Sequence, residues 1–237
     1  MKSLDLYPIA GVRFWEEREL NLRERIKNQF REELYQAARN LNNAWRFFQV
    51  EAPVLIPKSF MSSSYEEGDY FLTDFTAAEE QWALRAETTH GSYTYAKHLF
   101  KSSAVKPPVC IWQSGYSFRT ENTDGATAAK LRFNQFNQLE FQFIYGVGTK
   151  ADYPKVFRDV AGLLVHSITG RETRVVPSDR LPSYSQETND IEVLVVAGVD
   201  TSWREVASLS LRTDFGDEKI LVFEVALGLD RLVELAL

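Results

Sequence analysis

The chain has one cysteine, Cys110, in 237 residues, so no intrachain disulfide can form. With only three histidines beside it (His90, His98, His166), a structural zinc site of the cysteine-rich type lacks its ligands, and no zinc is expected. Cys110 itself lies in Val109-Cys110-Ile111-Trp112 and reads as a core residue. No apolar run is long enough to span a bilayer, and Met1-Lys2-Ser3-Leu4-Asp5 lacks the apolar core of a signal peptide. A cytoplasmic protein without a membrane partner is the expectation. Glycine-rich phosphate loops of the Walker or dinucleotide type are absent. Internal repeats, low-complexity tracts and long linkers are absent too, which predicts a single domain over 1–237. Basic charge is also in deficit. Lys and Arg number 27 against 33 Asp and Glu, a net charge of −6, which argues against broad attraction to nucleic acid. It leaves room for a local basic groove, because Arg119, Lys130, Arg132, Arg204, Arg212 and Arg231 lie near the segments singled out below.

What is present is an ordinary soluble composition, 44% hydrophobic and 25% charged, with strong local patterning. From Glu19 to Trp45, Leu22, Ile26, Phe30, Leu34, Leu41 and Trp45 recur at helical spacing, weakened near the end by Asn42 and Asn43. A strand fits Phe47 to Glu51, and Pro53 after it marks an edge or a terminus, because proline cannot donate to a ladder. Met61 to Asp69 reads as a mobile polar loop, Gln81 to Arg85 as a short strand, and Ser92 to Phe100 as a helix. A second helix is predicted over Tyr153 to Ile168. Strands follow at Asp190 to Ala197, Trp203 to Leu211 and Lys219 to Val225, then a short terminal helix. Hairpin-joined strands with helices fore and aft define an α+β fold around an antiparallel sheet.

The most informative region is Ser117-Phe118-Arg119-Thr120-Glu121 and its return, Arg132 to Glu140. At strand periodicity Gln113, Ser117, Arg119 and Glu121 share one face, with Cys110, Trp112, Tyr116 and Phe118 on the other. On the return, Leu139, Phe141, Phe143 and Tyr145 form an apolar face opposite Phe136, Gln138, Glu140 and Gln142. Two such strands offer a polar floor with an arginine, carboxylates and one aromatic ring, which suits a planar, anionic ligand such as a nucleotide. A hairpin with one solvated face is the plain alternative.

Other residues carry chemistry of the same kind. Arg231, in the first turn of the terminal helix, either reaches Asp230 or Glu234 or clamps a terminal phosphate together with Arg119. Glu224, among Leu221, Val222, Phe223 and Val225, needs a partner. That partner is either Arg212, in an internal salt bridge, or a ligand amine; Glu87 and Glu140 read the same way. Arg212 matches a ligand carboxylate by bidentate pairing. Glu205 and Ser208 offer oxygen ligands to magnesium, but strict alternation puts them on opposite faces, so the pair needs a bulge or a strand end.

With these residues in place, the chain resembles the catalytic core of class II aminoacyl-tRNA synthetases, with three signature motifs in order. The helix from Glu19 with Phe47-Phe48-Gln49-Val50-Glu51-Ala52-Pro53 resembles the first, which builds a dimer interface in the family. Phe118-Arg119-Thr120-Glu121 with the strand through Phe136 resembles the second, and Gly228-Leu229-Asp230-Arg231-Leu232 the third. The resemblance implies a six- or seven-stranded antiparallel sheet flanked by helices, ATP and magnesium as partners, and a homodimer. It implies that Arg119 holds the α-phosphate and the amino-acid carboxylate, Glu121 the adenine amine, Phe136 the base, and Arg132 and Arg231 the triphosphate tail.

Within the class the features are mixed. Leu84-Arg85-Ala86-Glu87-Thr88-Thr89-His90-Gly91, Arg212-Thr213-Asp214-Phe215 and Glu224 are similar to glycyl synthetases, where such a glutamate receives the substrate amine and such an arginine its carboxylate. Ala226 stands where that family has serine. Arg132 to Glu140 and Glu205-Val206-Ala207-Ser208 resemble seryl synthetases, whose glutamate and serine help bind magnesium and ATP. The expected activity is ATP-dependent activation of a small amino acid (glycine, alanine or serine), most like a minimal glycyl core. The chain ends at Leu237, just past the third motif, so no anticodon-binding domain is expected. The acceptor is then a tRNA end met by Asn122 to Lys130, a carrier protein or a small molecule. A non-catalytic accessory paralogue is the alternative.

Overall fold

The computed structural model describes residues 5–7, 11–61, 65–102, 105–121, 130–179, 181–197 and 200–237. In chain order these form β1 (Asp5–Tyr7), β2 (Val12–Arg13), α1 (Glu17–Leu41), β3 (Arg46–Gln49), β4 (Leu55–Pro57), β5 (Leu72–Ala77), β6 (Glu80–Leu84) and α2 (Thr89–Lys101). Then come β7 (Val109–Phe118), β8 (Gln135–Gly146), α3 (Tyr153–Thr169), β9 (Thr173–Pro177), β10 (Ser185–Ala197), β11 (Asp200–Arg212), β12 (Ile220–Gly228) and α4 (Leu229–Ala236).

The helices follow local chemistry. In α1, Leu22, Ile26, Phe30, Leu34 and Ala38 line one buried stripe. Glu19 accepts a hydrogen bond from the Glu16 backbone at its start. Asn42 ends the helix, its side chain accepting from Ala44 N at 2.9 Å, so Trp45 enters the core from the following turn and Leu41 stays exposed. Asp152 caps α3 by accepting from Lys155 N, and Gly170, at φ 63°, stops it in the left-handed conformation that glycine takes without steric cost.

The central sheet has seven strands in the order β3-β7-β8-β12-β11-β10-β9. Every neighbouring pair is antiparallel except β3 with β7, which is parallel. The fully antiparallel expectation is corrected there: the connection from β3 to β7 runs through the small sheet β4-β6-β5 and α2 and returns in the same direction. Edge position for β3, next to Pro53, is as expected. Five of the described strands had no counterpart in the sequence reading: β1, β2, β4, β5 and the opposite edge strand, β9.

One face of the sheet carries the main core, where Trp112, Leu139, Phe141, Phe143, Leu209, Phe223 and Val225 pack with α1, α3 and α4. Cys110 is buried there and makes no disulfide. The other face changes character along its strands. Val109, Ile111, Ile144 and Val222 are apolar and lie under α2 with Tyr93, Ala96 and Phe215. Further along β7 and β8 the same face turns polar, with Gln113, Ser117, Gln138, Glu140 and Gln142 all buried or nearly so. The site lies over that polar stretch.

Candidate active site

An open cavity of about 910 Å³ spans the polar face. Its lining includes Arg119, Glu121, Arg132, Phe136, Glu140, Glu205, Ser208, Glu224, Ala226, Glu87 and Arg231. Of the residues assigned a ligand-binding role from the sequence, Arg212 alone is missing from its wall. Nor is it a basic groove: three arginines face nine carboxylates among the lining residues. Lys130, Arg204 and Arg212 do not line it. The charges are instead sorted along the strands. Glu87, Glu140 and Glu224 cluster at one end, while Phe136 lies four residues before Glu140 on β8, roughly 13 Å away at strand rise.

Arg119 follows the end of β7. Its Nε donates to Ala86 O at 3.2 Å and its Nη2 to the Tyr65 hydroxyl at 2.9 Å. The Phe136 ring centre is 5.3 Å from its guanidinium carbon, cation-π range. Burial alone would weaken its charge, but Tyr65, Glu87, Glu205 and Glu140 outweigh that and hold it firmly cationic. Tyr65 also donates to Glu87 Oε2 at 3.0 Å. Of the segment read as a mobile polar loop, Glu66 to Asp69 are exposed, but Met61 is fully buried beside Ala83 and Ala86, and Tyr65 reaches into the site. Residues 62–64 lie outside the described residues.

The three glutamates are held from beneath. Gln113 donates to Thr88 O at 2.9 Å and Ser92 Oγ at 2.8 Å, and accepts from Ala52 N at 3.1 Å, fixing the start of α2. Thr88 then donates its hydroxyl to Glu140, and Thr89 shares its one hydroxyl proton between Glu224 at 2.9 Å and Glu140 at 3.3 Å. Gln142 also donates to Glu224, at 2.6 Å. Burial, aided by Glu224 and Glu87, pushes the Glu140 carboxyl up to about 8. Burial raises Glu224 as well, against the pull of Arg212. One oxygen of Glu87, Oε1, is buried and accepts no hydrogen bond among the described residues.

Arg212 lies off the cavity wall. Its side chain is fully buried and it pairs with Glu224 at 2.9 Å, with both oxygens of Asp214 at 3.1 and 2.6 Å, and with Glu87 at 3.5 Å. Tyr184, which does line the cavity, covers it with ring centre 3.9 Å from the guanidinium carbon. Arg212 is thus the countercharge beneath the glutamates, and its planar fork is taken by Asp214, so the internal salt bridge is the arrangement present for Glu224.

At the other end, Arg231 reaches neither Asp230 nor Glu234. Its Nε donates to Leu131 O at 2.8 Å and its Nη1 to Glu205 O at 2.9 Å. The two acids are engaged elsewhere, Asp230 by Arg23 and Glu234 by Arg13. Gly228 leaves room for the arginine stem, since a Cβ there would sit 3.0 Å from Arg231 Cδ. Arg132 is exposed and bonds both oxygens of Glu121, at 3.2 and 3.3 Å, so these two side chains meet each other across the cavity mouth.

Glu205 and Ser208 do share a face. Ile191 pairs with Ala207 but Glu192 pairs with Glu205, so Val206 is an extra residue, a β-bulge. Val206 and Ala207 both turn into the core, and Glu205 and Ser208 both line the cavity. Tyr65, Tyr184 and Asp190 are lining residues that sequence reasoning missed. Asp190 opposes Ser208 and carries a carboxyl that burial pushes up to about 6. Its place on the polar side of a predicted strand was the one available signal; the two tyrosines sit in loops and gave none.

No family model matches the chain. Among curated proteins it is similar to the glycine–tRNA ligase of Clostridium beijerinckii, 32% identical over 142 residues, which is 58% of this chain and 29% of that one. The Agathobacter rectalis enzyme of the same name is 31% identical over 175 residues, covering 63% and 36%. The chain thus spans about a third of the length of the curated relatives it resembles. Among solved structures, prolyl-tRNA synthetase from Cryptosporidium parvum, complexed with halofuginone and AMPPNP, superposes with a TM-score of 0.76 at 12% identity, over 98% of this chain and 49% of that one. The Giardia lamblia prolyl-tRNA synthetase in complex with prolyl-adenylate gives 0.73 at 16%, over 99% and 48%. The fold is that of a class II aminoacyl-tRNA synthetase catalytic core. In sequence the chain is similar to glycine–tRNA ligases, and in fold to the class II synthetase catalytic core.

Proposed function

We propose that this domain activates a small amino acid with ATP, forming an aminoacyl adenylate and releasing pyrophosphate. The observation that carries the reading is that Arg119 and Glu87 both lie within 3.0 Å of a single hydroxyl oxygen. A carboxylate on the arginine and an ammonium on the glutamate thereby fit one small zwitterion. Support comes from the relatives' names and from the two structural neighbours, which hold AMPPNP and prolyl-adenylate.

The substrate carboxylate attacks the α-phosphorus, one carboxylate oxygen forms the new P–O bond, and the bond to pyrophosphate breaks. No covalent enzyme intermediate is needed, so stabilising the charge that grows on the α-phosphate is the main task, and Arg119 performs it. Phe136 stacks on the base and Glu121 meets the adenine amine once it parts from Arg132. Arg231 and Arg132 grip the tail. Glu205 and Ser208, brought together by the bulge, fit magnesium, which takes oxygen ligands and completes its shell with phosphates. Magnesium bound there supplies neutralisation of triphosphate charge.

Glu87, Glu140 and Glu224 receive the ammonium, glycine being the substrate the relatives favour, with alanine and serine next. The acceptor is a tRNA end, reached through 122–130, of which 122–129 lie outside the described residues; a carrier protein or small molecule is the alternative acceptor. We read 1–237 as one catalytic domain, cytoplasmic, and dimeric through α1 and β3. Amino-acid-dependent exchange of labelled pyrophosphate into ATP tests the reaction. Exchange with one or a few small amino acids is expected, and Arg119→Ala should lose it by roughly 10²–10³-fold or more. Silence across the panel from protein that binds ATP would favour an accessory paralogue.

A further inference from the structure

Tyr65 bonds the two residues on which the proposed reaction turns, and the way it does so fixes which of their atoms remain free. Its oxygen accepts from Arg119 Nη2 at 2.9 Å and donates to Glu87 Oε2 at 3.0 Å. Ala86 O takes Arg119 Nε. Among the described residues this leaves Arg119 Nη1 without a hydrogen-bond partner, and Glu87 Oε1 likewise accepts none. The phenol thus occupies one atom of each group; Arg119 Nη1 stays open, and Glu87 Oε1 accepts no hydrogen bond, its nearest cations being Arg212 Nη2 at 3.5 Å and His90 Nε2 at 3.9 Å.

Tyr65 is supported by one backbone hydrogen bond and a small apolar cluster. Its backbone N–H donates to Met61 O at 3.2 Å, and its ring packs on the small cluster of Ile56, Met61, Tyr70, Ala83 and Ala86. Ala86 joins β6 to the Glu87 turn, so ring, hydroxyl and carbonyl all reach Arg119 from the same small subdomain. Burial, opposed by Arg119, pushes the phenol well above its ordinary range and keeps it a donor to Glu87. The hydroxyl bridges a guanidinium and a carboxylate that attract each other, and so sets the spacing between them.

We propose that Tyr65 is a positioning residue that holds Arg119 and Glu87 apart in a fixed geometry, aiming Nη1 and Oε1 at the carboxylate and ammonium of the substrate. This rests on the adenylation reading for its functional consequence, but its geometric content stands separately. Tyr65→Phe keeps the ring packing and removes only the hydroxyl.

Two measurements on the full chain test it. In the first, ¹⁵N NMR follows the Arg119 side-chain N–H signals, assigned by their loss in Arg119→Lys. A distinct, slowly exchanging set is expected in the wild type, shifted or broadened in Tyr65→Phe. An unchanged set overturns the proposal whether or not the protein has activity. In the second, pyrophosphate exchange is compared. Tyr65→Phe should raise KM for the amino acid and lower kcat, each at least fivefold, with KM for ATP within twofold and the melting temperature unchanged. Wild-type kinetic constants in the variant overturn the proposal. A uniform loss of both KM values and melting temperature also overturns it, as a merely structural role. Silence of the wild type in exchange counts against the adenylation reading alone and leaves the NMR result to decide this one.

Discussion

Arg23, in the second turn of the first long helix, meets Asp230, at the start of the last helix, with 2.7 Å between Nη2 and Oδ1. The other Asp230 oxygen accepts from Asn137 N at 2.8 Å, next to Phe136 on β8. The pair is buried, and Trp15 lies against Arg23 with 4.4 Å from guanidinium carbon to ring centre. One carboxylate thereby ties α1, α4 and β8 together immediately beside Arg231.

Removing either partner leaves a buried charge alone, which typically costs about 3–5 kcal/mol. Asp230→Ala should lose that much in urea denaturation at any pH near neutral, because Arg23 cannot shed its proton. Arg23→Ala should differ, because Asp230 can take one up. Burial already pushes its carboxyl up to about 6 against the pull of Arg23, and without Arg23 it climbs further. A raised carboxyl loses stability as pH rises through its folded pKa, so Arg23→Ala should be more damaged at pH 8 than at pH 5. Equal losses at both would sink the assignment.

Glu140 gives a second pH signature. Its folded pKa, about 8, exceeds the ordinary value of 4.5 because the site is buried and shares Glu224 and Glu87. The folded state therefore holds a proton that the unfolded chain has released. Its contribution is fully present below about pH 4.5 and is lost as pH rises through 8. Glu140→Gln keeps an oxygen to accept from Thr88 and has no proton to lose. Melting temperature measured without ligands should fall less steeply from pH 5 to pH 8 in the variant, and a wild-type slope would contradict this.

Gly115 is held by close approach. A Cβ there would lie 2.4 Å from Arg85 Nη2. Arg85 is buried and donates to Tyr116 O at 2.8 Å, Ala52 O at 2.6 Å and Pro53 O at 3.3 Å, clamping β7 to the segment after β3. Gly115→Ala must displace that clamp, and a loss of roughly 1–3 kcal/mol is expected from denaturant titration.

What the sequence disclosed, and what it hid, follows from the range of the interactions. Alternation along β7 and β8 was legible because each strand buries one greasy face, so Glu140 and Arg119 could be assigned to one floor without any coordinates. The α1 stripe was legible for the same reason. A bulge between Glu205 and Ser208 was only one way to bring them together, and its position was not legible, because two successive core residues, Val206 and Ala207, look like a break in strand rather than an inserted one. The small sheet stayed hidden because Leu72 and Phe75 are exposed, leaving no clean burial pattern. Tyr65 is defined only by partners 22 and 54 residues away, which no local pattern encodes. Arg212 looked like a ligand arginine, and only the folded chain shows Asp214 filling its fork.

Ala226 offers the sharpest test of where the amino acid sits. It lies on β12 opposite Glu140 on one side and Ser208 on the other, two residues past Glu224, and it lines the cavity. Ala226→Val adds two methyl groups to that wall. β-Branched valine suits a strand, and the added atoms project into open space rather than core, so stability should move by less than about 0.5 kcal/mol. If the substrate ammonium sits among Glu87, Glu140 and Glu224, the new bulk meets the amino acid and not the nucleotide. KM for the amino acid in pyrophosphate exchange should then rise about tenfold or more, and alanine or serine should suffer more than glycine because their side chains compete for the same volume. KM for ATP should stay within twofold. A rise confined to ATP would place the nucleotide, not the amino acid, over β12 and would reverse the orientation proposed for the two substrates.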